Sequence, residues 1–122
     1  MNPVILIVTV LAAGMVGALI RHAAAIIPTR TAFPIAVLAV NAIGSFIAGV
    51  MLALSPLLGH EITLIALTGF CGGLTTFSTF SVDTIRLAIE GRAWVAVGNM
   101  AANLLLGLGA AGLGAAVTLA FM

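Results

Sequence analysis

The chain has 122 residues, 63% hydrophobic and only 6% charged, with a formal net charge of +1. A soluble domain carries roughly 25% charged residues, so this chain cannot build a polar exterior and must use lipid as its solvent. The balance of charge leaves no basic patch for nucleic acid and no acidic field, and the single cysteine, Cys71, excludes an intramolecular disulfide.

Residues 2–20 carry no charge, and Arg21 and His22 follow. A cleaved signal peptide is disfavoured, although Ala23-Ala24-Ala25 supplies small residues, because no basic stretch precedes the apolar run and the run is long. A first span is predicted at 3–26. Residues 31–59 are again uncharged, between Arg30 and His60, and predict a second span at 33–55. Residues 62–82 separate Glu61 from Asp83, and residues 93–122 follow Arg92. They predict spans at 62–89 and 93–120. Each block reaches or approaches the ~20 residues a helix needs to cross ~30 Å of hydrocarbon. The expected fold is an all-α membrane protein, a single domain over 1–122 with four transmembrane helices.

The expected connections are Pro28-Thr29-Arg30-Thr31, Ser55-Pro56 through His60, and Glu90-Gly91-Arg92. Trp94 stands where an interfacial aromatic belongs. Small residues recur at four-residue spacing: Gly14 and Ala18, Ser45 and Gly49, and Gly107, Ala111 and Ala115. Such stripes let helix backbones approach closely, and four short helices make a thin bundle that a further subunit would complete. Both termini fall on one side with the 55–60 loop. Arg21, Arg30, Arg86 and Arg92 fall on the other, which a plain positive-inside reading puts in the cytoplasm.

The third span is anomalous. Thr68-Gly-Phe-Cys-Gly-Gly-Leu-Thr-Thr-Phe-Ser-Thr-Phe-Ser81 is dominated by Gly, Ser and Thr where an anchor would use Leu, Ile and Val. Gly72-Gly73 beside Thr75-Thr76 is where a helix is expected to unwind, since Gly weakens a helix by ~1 kcal/mol relative to Ala. Unwound backbone at membrane depth is tolerated only when buried in protein or lining a cavity, and its carbonyls suit a cation. A tightly packed helix with Thr hydroxyls bonded to their own backbone is the alternative. Phe77 and Phe80 share a helix face. An aromatic ring is positive at its edge, so two rings presented edge-on suit an anion's path, and simple packing is the plainer reading.

Asn41 lies within the second span, and its amide serves either a ligand or a neighbouring helix. Asn99 and Asn103 share a face of the last span, as a polar track or as helix–helix glue. Asp83 and Arg86, three apart, are expected to pair. Arg21 closes the first span, either to draw anions into a vestibule or as an ordinary snorkelling arginine. His22 and His60 are far apart with no ligand set around them. No metal motif, no Ser-His-Asp set and no paired carboxylates emerge, so an enzyme is not expected.

The run from Thr68 to Ser81 closely resembles the signature of the Fluc (CrcB) fluoride channels. Val40-Asn41-Ala42-Ile43-Gly44 resembles the second-helix motif of that family, and Gly17-Ala18-Leu19-Ile20-Arg21 resembles its first-helix ending. The four-span plan is similar along the whole chain. The resemblance implies an antiparallel, dual-topology dimer with two pores in the cell membrane, passing fluoride passively out of the cytoplasm. It implies that Phe77 and Phe80 line the pore with their ring edges, that Asn41 donates to the ion and that Ser78 and Thr79 form a polar track. Arg21 matches a vestibule arginine. Gly72 and Thr75 match positions whose carbonyls hold a central Na+ where the third helix breaks in mid-membrane. Asn99 and Asn103 fall where other members carry Tyr, Ser or His, in the exit half of that track. Asp83 stands where glutamate is usual. The uneven arginines raise the alternative of paired, oppositely oriented subunits. A small multidrug exporter would need a membrane-embedded acid in its first helix, and residues 2–20 contain none. A non-transporting assembly protein would have no use for the polar run at 68–81.

Overall fold

The computed structural model describes residues 1–28 and 31–122. Thr29 and Arg30, with the connection and the arginine placed there from the sequence, lie outside the described residues. The regular elements of the described residues are all helices: α1 (Pro3–Ala25), α2 (Ile35–Leu58), α3 (His60–Leu64), a π-helical stretch (Ile65–Cys71), α4 (Gly72–Leu74), α5 (Phe77–Ile89) and α6 (Ala93–Ala120). Four spans are long and apolar enough to cross a membrane, the third being His60–Ile89 taken together. The exterior is correspondingly apolar, with Leu11, Leu19, Leu57, Ile89 and Leu105 among many exposed large side chains. This is a multi-pass membrane protein.

Local chemistry places the helix ends. Asn2 caps α1, its Oδ1 accepting from the Val4 N–H at 2.9 Å, and Pro3 occupies the first helical position, where no N–H is needed. Gly59, at φ +78°, ends α2 and turns the chain straight into α3. Gly91, at φ +80°, ends α5. The Arg92 N–H reaches the Leu87 carbonyl at 2.9 Å and the Gly91 N–H reaches Ala88 at 3.1 Å, the paired bonds of a Schellman motif.

The second span runs further than the sequence predicts. It continues to Leu58, so Ser55 and Pro56 are helical rather than part of a connection. Pro56 lacks the N–H that would serve the Leu52 carbonyl, and the Ser55 hydroxyl donates to that carbonyl instead, at 2.8 Å. A hydroxyl that re-satisfies the freed group is what allows proline inside a membrane helix.

The glycines determine which helices meet. A methyl group on Gly17 would strike the Phe70 carbonyl and the Leu74 N–H, and one on Gly73 would strike the Gly14 backbone. Thus α1 lies directly on the first half of the third span. Gly49 lies against the Ala111 backbone and Gly114 against the Phe46 carbonyl, so α2 and α6 form a second close pair. α6 also packs on α5. The π-helical stretch sits where Gly69 approaches Val10 and Ala13 of α1, so the wider turn coincides with a close backbone contact. The Met1 ammonium pairs with Glu61, which puts the N-terminus beside the start of the third span.

Candidate functional site

Between α4 and α5 two residues leave the helix. Thr75 has φ −81°, ψ 159° and Thr76 has φ −148°, ψ 121°, both extended. Two backbone donors are thereby redirected. In a continuous helix the Thr76 N–H would serve the Gly72 carbonyl and the Thr79 N–H would serve Thr75. Here the Thr76 N–H donates to Asn41 Oδ1 at 2.8 Å, and the Thr79 N–H donates to Thr76 Oγ1 at 3.1 Å. The Gly72 and Thr75 carbonyls therefore lose their helical partners. That pair of released oxygens suits a hard cation, whose ligands are oxygens. The described residues contain no cluster of His, Cys, Asp or Glu able to hold a metal.

Asn41 grips the extended segment from both sides of one residue. Its Oδ1 accepts from the Thr76 N–H, and its Nδ2 donates to the Thr76 carbonyl at 3.2 Å and to Asn103 Oδ1 at 2.9 Å. Thr76 then caps α5, its hydroxyl donating to Thr79 Oγ1 at 3.0 Å and lying 3.4 Å from Ser78 Oγ. Other hydroxyls of the span serve their own helix instead: Thr75 donates to Cys71 at 2.9 Å, and Ser81 donates to Phe77 at 2.8 Å.

Phe77 and Phe80 follow on the first turn of α5, with ring centroids 5.7 Å apart and planes inclined at 48°. They border a cavity of about 710 Å³ between α2, α5 and α6, together with Asn41, Thr75, Thr76 and Asn103. Phe77 is 80% exposed, and Ser78 and Thr79 are exposed as well. A smaller cavity of about 280 Å³, between α1 and α2, is bordered by Arg21, His22, Thr76 and Thr79. Thr76 borders both cavities, so the extended segment lies between Arg21 and the phenylalanines.

The sequence-predicted residues fall in several places, Ser78 and Gly72 being exposed and bordering neither cavity. Asn41, Phe77, Phe80 and Asn103 share the larger cavity, and Arg21 and Thr79 share the smaller. Asn99 borders neither and is completely buried, its Nδ2 donating to Thr84 Oγ1 at 2.8 Å. Thr84 was not singled out from the sequence, and only its place one helical turn beyond Phe80 hinted at it. The expected Asp83–Arg86 pair does not form. Arg86 Nε binds Glu90 Oε1 at 3.1 Å instead, because i to i+4 spacing brings the long arginine over the next turn.

The family described as CrcB-like protein, Camphor Resistance (CrcB), matches the chain over residues 8–115. The chain is similar to the Fluoride-specific ion channel FluC 1 of Thermobifida fusca, 46% identical over 104 residues, covering 82% of this chain and 84% of that protein. It is 39% identical over 111 residues to the Fluoride-specific ion channel FluC of Pyrococcus horikoshii, covering 87% and 89%. The FluC of Methanocaldococcus jannaschii is 44% identical over 93 residues, covering 74% and 75%.

Proposed function

The chain belongs to the CrcB family, and from that premise we propose that it is a fluoride-selective channel, not an enzyme, passing the ion out of the cytoplasm down its gradient. The observation that carries the reading is the cavity in which Phe77 and Phe80 meet the amide of Asn41 beside extended backbone. Fluoride is small and strongly hydrated, and an unpaired ion in a medium of low dielectric costs tens of kcal/mol by Born estimates. A pore must replace that water with donors. Ring edges, hydroxyls and an amide are weak donors in succession, which allows an ion both to enter and to leave. None of the groups bordering this cavity carries a fixed positive charge.

In this reading Arg21 gathers anions in the smaller cavity, and Thr79 and Ser78 lead past the extended segment to the phenylalanines. Asn41 has both amide protons engaged, so it serves an anion only by releasing one acceptor, and its bond to the Thr76 carbonyl is the longer of the two. Asn103 presents the last polar group of that cavity.

The extended pair Thr75–Thr76 is read as a break of the third span in mid-membrane. Phe77, Ser78 and Thr79 are exposed on the single chain, and hydroxyls facing lipid are unfavourable. A second copy in the opposite orientation, in the cell membrane, covers them and completes two pores. The Gly72 and Thr75 carbonyls would hold a Na+ ion between the copies. Such an ion supplies a fixed charge that ties the two breaks together.

The test is fluoride efflux from liposomes containing the purified protein, with chloride as the control. Rapid fluoride efflux with little chloride efflux is the expected result. Equal permeation of both anions, or of neither, would sink the proposal.

A further inference from the structure

The hydrogen bonds that hold Asn41 continue beyond it, and they run in one sense. Asn41 Nδ2 donates to Asn103 Oδ1 at 2.9 Å. Asn103 Nδ2 donates to Asn99 Oδ1 and to the Asn99 carbonyl, both at 3.0 Å. Asn99 Nδ2 donates to Thr84 Oγ1 at 2.8 Å, and the Thr84 hydroxyl donates to the Phe80 carbonyl at 2.7 Å. Each side chain accepts from one neighbour and donates to the next, so none can turn over without breaking the bonds on either side.

The series begins and ends on the same segment. At one end Asn41 holds the N–H and carbonyl of Thr76, the cap of α5. At the other, Asn99 holds Thr84, eight residues on and so about two helical turns away. Phe77 and Phe80 lie between these anchor points. Asn99 is 0% exposed and borders no cavity, and no buried side-chain nitrogen or oxygen among the described residues lacks a partner. The amide in this place lies away from both cavities, and its donor bond goes to Thr84 rather than toward an ion's path.

We propose that Asn99, acting with Thr84, is a positioning residue: it never touches the conducted anion, and through Thr84 and Asn103 it fixes the helix that carries Phe77 and Phe80. The proposal rests on the channel reading above for what is conducted, and on the hydrogen bonds alone for what is positioned. It assigns Asn99 to the framework rather than to the ion's track.

Thr84 provides the test, because its two conservative variants separate hydroxyl from shape. Thr84→Val keeps the shape and removes the hydroxyl, whereas Thr84→Ser keeps the hydroxyl and removes a methyl group. Two quantities are measured on purified protein in liposomes: fluoride efflux, and amide hydrogen exchange over residues 76–84. Thr84→Val is expected to slow efflux about tenfold, the scale of a buried amide deprived of its acceptor, and to speed exchange. Thr84→Ser is expected to match the wild type in both. Asn99→Leu is expected to reproduce Thr84→Val, and the double variant to be no slower than the worse single, as residues acting in one series are non-additive.

Wild-type behaviour of Thr84→Val would overturn the proposal, as would a greater loss in Thr84→Ser than in Thr84→Val. Slowed efflux in Asn99→Leu with unchanged exchange would mean that Asn99 touches the ion, and would overturn it too. If Asn99→Leu fails to assemble, the Thr84 pair decides. A wild-type protein that carries no fluoride removes the channel reading, while the exchange comparison still judges the positioning.

Discussion

Asn41 makes three hydrogen bonds with one side chain, two of them to the backbone of Thr76. That economy is possible because an amide matches a peptide group donor to acceptor, and Thr76 has left the helix with both groups free. Polar residues within the apolar blocks were conspicuous in the sequence, so Asn41, Asn99 and Asn103 could be singled out. Their partners could not be, since Asn41 and Asn103 are 62 residues apart and meet only when α2 and α6 pack. Asn103 borders the larger cavity, whereas Asn99 is buried away from it. At this scale the ring-edge mechanism predicts that Phe80→Ala or Phe77→Ala slows fluoride efflux about tenfold, near the ~0.5–1.5 kcal/mol of one aromatic contact. The oligomer should remain intact by size-exclusion chromatography. Undiminished efflux in both variants would remove the rings from the pathway.

Between elements, close approach is decided by the absence of side chains. Gly14 and Gly17 let α1 touch the backbone of the third span, and Gly49 and Gly114 do the same for α2 and α6. In lipid there is no hydrophobic drive to bring helices together, so backbone proximity and packing must hold them. Gly17→Ala inserts a methyl group where the Leu74 N–H would lie 2.7 Å from it. Overpacking of this kind costs about 1–3 kcal/mol, so the variant should unfold at a lower temperature in detergent and assemble poorly. Unchanged thermal stability would show that α1 shifts freely and does not brace the span. The stripes of small residues were legible from their spacing, but their pairing was not, because a small residue at four-residue spacing does not specify its partner. The sequence predicts an end to the second span before Pro56, and α2 runs on to Leu58, for a related reason. The Ser55 hydroxyl that compensates for the proline acts through a contact that exists only once the turn has formed.

The whole molecule is a thin bundle with a small interior: Val37, Val40, Leu74, Leu87 and Ala96 are among its few buried apolar side chains. Much of its surface is lipid-facing by composition, yet Thr68, Gly72, Ser78 and Thr79 are exposed as well. In the proposed dimer a second copy would cover these residues. If the copies are identical and opposed, a single cysteine added at the C-terminus of a Cys71→Ser background should be labelled by an impermeant thiol reagent from both sides of cell-derived vesicles in comparable amounts. Labelling from one side only would favour a partner subunit of the opposite orientation, as the clustering of Arg21, Arg86 and Arg92 suggests.

Composition alone determined that this chain lives in a membrane and crosses it in four helices, because charge is too scarce to support any other exterior and each apolar block has the length of a span. The run from Thr68 to Ser81 likewise stood out as the candidate site, since an anchor would use Leu, Ile and Val there. Only the tertiary structure decided what each polar atom does. The hydrogen bond from Asn99 to Thr84, the grip of Asn41 on Thr76 and the loss of helical donors at Gly72 and Thr75 all depend on groups brought together by packing. A hydrogen bond between helices is set by distance and direction in space, which spacing along the chain does not encode.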